Sequence, residues 1–128
     1  MEDRKRAWAY CSIDAPEDTH GTLKGQYRQL VEYAEQMGFE VADSSSDIGN
    51  GPLWDRAGFQ RFADKVKAGE VSILLIASPH CLSHSSLQLA QLQALAECYG
   101  IEVYSPLVGR VDILSWQKGR ESDVSGGI

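Results

Sequence analysis

Long apolar runs are missing from this sequence, and that absence bounds it first. No stretch approaches the ~20 apolar residues that span a bilayer. The opening MEDRKRAWAY has no apolar segment behind its charges of the kind a secretory leader carries. Cysteine is scarce: Cys11, Cys81 and Cys98 are odd in number and form no CxxC pair. That argues against a disulfide framework and for a reducing, cytoplasmic setting. Positive charge is in deficit, with 12 Lys and Arg against 18 Asp and Glu, a net charge of −6. A protein built to grip nucleic acid neutralises phosphates with Lys and Arg, so direct DNA binding is not expected of this chain. Internal repeats are absent.

What is present suits one domain with its own core: 128 residues, 43% hydrophobic and 23% charged. Residues 7–13, AWAYCSI, are rich in strand formers, and APEDTHGT after them reads as a loop. From Thr22, a candidate N-cap, Leu23, Tyr27, Leu30, Val31 and Ala34 recur at helical spacing until Gly38. FEVAD makes a second strand and SSSDIGNGPLW a turn-rich loop. Phe59, Phe62, Ala63 and Val66 then mark one face of a second helix that stops at Gly69. VSILLIA is a continuous apolar run, as expected of a strand covered on both faces. Residues 86–99 form a third helix ended by Gly100, and IEVYSP reads as the last strand. Strands alternating with helices imply a three-layer α/β/α domain over residues 1–106 with a mainly parallel sheet of about four strands. Residues 107–128 read as a tail with a disordered end. The third helix is apolar on two sides, Leu87/Ala90/Ala94/Cys98 and Leu89/Leu92/Ala96/Tyr99. Either it is deeply packed or one side is a self-association face.

The order of these elements resembles the catalytic domain of serine recombinases, the resolvase/invertase family, over about residues 6–106. The family's opening Y-x-R-x-S lies against Tyr10, Cys11, Ser12, Ile13 and Asp14, and its first-helix Gln against Gln26. Its D-x-x-S-G-x-x-x-x-R loop lies against Asp47, Asn50, Gly51 and Arg56 without a gap. SPHCLSH stands where the family carries a signature close to K-L-D-R-L-x-R. The resemblance implies the resolvase-like fold and a site at the carboxyl ends of the strands. Its departures fall on the chemistry. Asp14 occupies the position of the serine that attacks the DNA phosphodiester, and Ser12 that of the first-strand arginine. His80, Cys81 and His84 occupy the positions of the signature's Asp and two Arg. Arg56, Gln26 and Asp47 are retained.

Phosphoryl transfer rests on positioning and on stabilising charge at the phosphoryl oxygens, so these substitutions should abolish it. The resemblance then implies a catalytically inactive, resolvase-like domain, a pseudoenzyme with no cofactor, linked to recombination or mobile elements. Its expected partner is a second copy or a related recombinase protein, with no membrane. Alternatives remain open at this point. An enzyme or sensor could reuse Asp14, His80, Cys81 and His84, with Cys81, His80 and His84 as weak metal-ligand candidates, although H-C-x-x-H is not a strong ligand spacing. A thiol nucleophile at Cys81 beside His80 or His84, an aspartyl-phosphate at Asp14 and residual DNA recombination complete the set.

Overall fold

The computed structural model describes residues 4–13, 21–49, 51–78, 81–82 and 85–113. Five strands, β1 (Arg6–Ile13), β2 (Glu40–Ile48), β3 (Ile73–Ile76), β4 (Glu102–Ser105) and β5 (Gly109–Val111), form one sheet in the order β2-β1-β3-β4-β5. The first four are parallel, and β5 returns antiparallel on β4. Three helices connect them: α1 (Thr22–Met37), α2 (Ala57–Lys67) and α3 (Ser86–Tyr99), with a single 3-10 turn at Leu53–Asp55 before α2.

Successive strand side chains point to opposite faces, and this alternation divides the core in two. Trp8 and Tyr10 of β1 join Leu74 and Ile76 of β3 and Val103 of β4 on the face covered by α2 and α3. Ala7, Ala9 and Cys11 join Ile73 and Leu75 on the other face, under Leu30 and Ala34 of α1. Aromatic edges knit the first face: Phe59 stands edge-on to Tyr10 at 5.5 Å and to Trp54 at 5.1 Å, and lies 5.4 Å from Phe62. Both faces of β3 are buried, as its uninterrupted apolar run requires. Among the described residues no helix is long and apolar enough to cross a membrane.

The expected mainly parallel sheet of about four strands is present, and Gly109–Val111, in the segment read as tail, adds a fifth, antiparallel strand on β4. Two expectations need correction. The second strand runs to Ile48, through the serines expected to form a loop. Ser45 explains this: its buried hydroxyl accepts from Trp8 Nε1 at 2.8 Å and donates to the Gly58 carbonyl at 2.7 Å, so a polar residue serves as an inward strand position. Thr22 is the first helical residue, and Gly21, in left-handed conformation at φ 69°, is the cap. The α2 face holds as expected, with Phe59, Phe62, Ala63 and Val66 all buried. On α1, Leu30 and Ala34 are buried while Tyr27 faces solvent. On α3, Leu89, Leu92 and Ala96 are buried, and the side carrying Leu87, Ala90, Ala94 and Cys98 is exposed. The expected disordered end of the tail lies outside the described residues.

Candidate functional site

Parallel α/β folds gather their chemistry where strands end, and here the carboxyl ends of β1, β2 and β3 do not stop level. Tyr10 is the last β1 residue paired with β3, opposite Ile76, whereas β1 continues beside β2 to Ile13. Past Ile76, the Gln26 side chain takes over the Ser12 backbone. Its Nε2 donates to the Ser12 carbonyl at 2.8 Å, and the Ser12 N–H donates to Oε1 at 3.0 Å. One helix amide thus completes what the strand leaves open.

Asp47, at the end of β2, accepts three hydrogen bonds. Tyr10 Oη donates to Oδ2 at 2.8 Å, the Gly58 N–H to Oδ1 at 2.9 Å and the Phe59 N–H to Oδ2 at 3.1 Å. The latter two are orphan donors of the first α2 turn, so this carboxylate caps α2 from a neighbouring strand. Gly58 is required by that approach: a Cβ there would lie 2.7 Å from Asp47 Oδ2 and 2.8 Å from the Ser46 carbonyl.

Arg56 is turned inward on the chain itself. Nε donates to the Gly51 carbonyl at 2.9 Å. Nη1 reaches the Cys81 carbonyl at 2.9 Å and Tyr10 Oη at 3.4 Å, and Nη2 the Leu82 carbonyl at 3.4 Å. It braces the chain after β3 against the chain after β2. Tyr10, fully buried, has its phenol pushed above the ordinary value, chiefly by burial. Arg56 opposes the shift and Asp47 adds to it. Cys81 Sγ lies 3.9 Å from the Ser12 carbonyl. Burial, with a smaller contribution from Cys81, raises the Cys11 thiol to about 11.

The structure therefore brings Ser12, Gln26 and Cys81 together around one carbonyl, and Asp47 and Arg56 together through Tyr10. Asp14, Asn50, His80 and His84 lie outside the described residues. Among the described residues no group of three or more His, Cys, Asp or Glu could hold a metal ion. Sequence reasoning aligned Tyr10 but missed that it links Asp47 to Arg56; an aromatic with a polar tip on a buried strand was the available signal. It also missed Gln88, whose Oε1 accepts from the Leu53 N–H and whose carbonyl accepts from Trp54 Nε1 at 3.4 Å.

Solved structures share this mostly parallel sheet with helices on both faces. The chain matches the N-terminal catalytic domain of TP901-1 integrase at 23% identity and TM-score 0.66, covering 79% of this chain and 76% of that one. It matches the C-terminal catalytic domain of ISC1926 TnpA, an IS607-like serine recombinase, at 23% identity and TM-score 0.69, over 78% and 67%. A resolvase family site-specific recombinase from Streptococcus pneumoniae matches at 14% identity and TM-score 0.72, over 95% and 91%. These identities speak to fold alone. Among curated proteins none matches. The family model for the resolvase N-terminal domain matches residues 11–112, and the chain belongs to that family.

Proposed function

We propose that this chain is a catalytically inactive resolvase-like domain that works through protein–protein contact in a cytoplasmic, recombination- or mobile-element-linked setting. The observation that carries this reading is Arg56. In phosphoryl transfer the work falls to preorganised donors at the phosphate oxygens, and losing one such donor typically costs ~10²–10³ in rate. The one arginine of the family pattern that the sequence retains directs its N–H groups at the carbonyls of Gly51, Cys81 and Leu82 and at the Tyr10 hydroxyl. It acts as a brace. The nucleophile position carries Asp14, whose negative charge would repel a phosphodiester. Ser12, the nearest alternative hydroxyl, lacks the companion arginines.

The test is covalent trapping on a random-sequence duplex library, with adducts resolved under denaturing conditions. No adduct is expected, and Arg56→Lys should leave that result unchanged. An adduct that vanishes in Ser12→Ala or Asp14→Asn overturns the reading.

A further inference from the structure

We propose that Asn50 is a site of spontaneous covalent modification: the Gly51 backbone nitrogen attacks the Asn50 side-chain amide, and water converts the product to aspartate or isoaspartate. The sequence supplies the pair. Asn50 is the only asparagine of the chain and glycine follows it, whereas glycine follows no aspartate. Asn50 lies outside the described residues; the chemistry depends on its covalent bond to Gly51 and on the surroundings of that glycine.

Those surroundings favour the attack. A strand ladder or a helix holds each backbone nitrogen in place through its N–H. Here β2 ends at Ile48 and the 3-10 turn begins at Leu53, so the bond between residues 50 and 51 belongs to neither. Gly51 is exposed, and a Cβ built on it meets nothing within 4 Å among the described residues. Gly49, on the other side, has φ 100°, in the region that glycine enters without strain. Two glycines thus flank Asn50 and leave the backbone free to turn the nitrogen toward the side chain.

Water is the one co-reactant. The Gly51 nitrogen, its proton taken by solvent base, bonds to Asn50 Cγ. The Cγ–Nδ2 bond breaks and ammonia leaves, closing a cyclic imide. Water then opens the imide in one of two ways. Breaking the Cγ–N bond restores the ordinary backbone with an aspartate side chain. Breaking the bond from the main-chain carbonyl carbon to that nitrogen routes the backbone through Cβ and Cγ, which is isoaspartate. Either product is a carboxylate at neutral pH, so the net charge goes from −6 to −7.

The position gives this change a structural effect. The Gly51 carbonyl accepts from Arg56 Nε at 2.9 Å, and the same guanidinium holds the Cys81 and Leu82 carbonyls. Isoaspartate lengthens the backbone by a methylene just before the Gly51 carbonyl, and both products place a competing anionic acceptor one residue away from it. The Arg56 brace therefore loosens as the protein ages.

Peptide mapping of the full chain, held at about pH 8 and body temperature, tests this. The peptide carrying residue 50 should gain the mass of a hydroxyl exchanged for an amino group. The protein should bind anion exchanger more tightly and become a substrate for protein isoaspartyl methyltransferase, at a rate that rises with pH. Gly51 has no positive φ and has room for a Cβ, so Gly51→Ala should fold; its restricted backbone should slow the reaction about tenfold. A chain whose mass stays unchanged, or Gly51→Ala ageing as fast as wild type, overturns the proposal. The aged isoaspartyl fraction should unfold at lower urea than Asn50→Asp, which carries the charge without the extra methylene. Equal midpoints would overturn the link to Arg56.

Discussion

Replacing Asp47 by Ala removes one acceptor group and strands three donors at once: the buried Tyr10 hydroxyl and the N–H groups of Gly58 and Phe59. A hydrogen bond to a charged group is worth about 1.5–3 kcal/mol, and losing a helix N-cap costs about 0.5–2 kcal/mol. The three share one carboxylate, so they do not sum fully. We expect a loss of about 4 kcal/mol, a large part of the 5–15 kcal/mol typical of a whole domain. Asp47→Asn separates charge from geometry. Its carbonyl at the Oδ2 position still serves Tyr10 and Phe59, while its amide meets only the Gly58 N–H, so the cost falls to about 1–2 kcal/mol. Urea unfolding followed by tryptophan fluorescence reads both; with a slope of about 2 kcal/mol per M, the Ala variant's midpoint falls by about 2 M. Tyr10→Phe closes a cycle, and the double variant with Asp47→Ala should be less destabilised than the sum of the singles. If Asp47→Ala lies within about 0.5 kcal/mol of wild type, or Asn costs as much as Ala, the carboxylate is not the pin described above.

Gly58→Ala should destabilise by about 1–3 kcal/mol in thermal melts although alanine is the better helix former, because its Cβ would meet Asp47 Oδ2 at 2.7 Å and the Ser46 carbonyl at 2.8 Å; a neutral or stabilising result would mean α2 can slide. Thiol titration of the native protein at pH 8 should modify exposed Cys98 promptly and leave Cys11 untouched until urea is added, since burial lifts the Cys11 thiol to about 11. The same shift gives a pH dependence: stability from keeping Cys11 neutral is complete below its ordinary value of 9.0 and is lost as pH rises toward 11. Cys11→Ala should flatten that alkaline limb.

Much of the frame was legible because it is written in periodicities. Phe59, Phe62, Ala63 and Val66 repeat at helical spacing and are buried together, and Gly38 and Gly100 adopt the left-handed conformation expected of helix ends. What escaped was polar. Ser44, Ser45 and Ser46 read as loop because serine favours turns, yet a hydroxyl placed between an indole N–H and the Gly58 carbonyl makes Ser45 an inward residue. Gly109–Val111 is too short to carry any alternation, and only its pairing with Val103–Ser105 makes it a strand. At the candidate site, matching by position found Gln26, Asp47 and Arg56. Their roles depend on long-range partners, Ser12, Tyr10 and the Cys81–Leu82 carbonyls, that no local pattern encodes.

The short reach of β3 has a consequence for how this family member could change. Up to Ile76 the sheet is joined backbone to backbone, and such joints are indifferent to side-chain identity. Beyond it β1 keeps its backbone pairing with β2, and the edge facing β3 and β4 is held by individual side chains: Gln26 on Ser12, Arg56 on Cys81 and Leu82, and Ser105 Oγ on the Ala77 carbonyl at 2.9 Å. The chemical edge and the load-carrying frame are thus separate modules of one chain. Substitutions at the edge can accumulate while the frame persists, so a lineage can shed a reaction and keep the architecture that once served it.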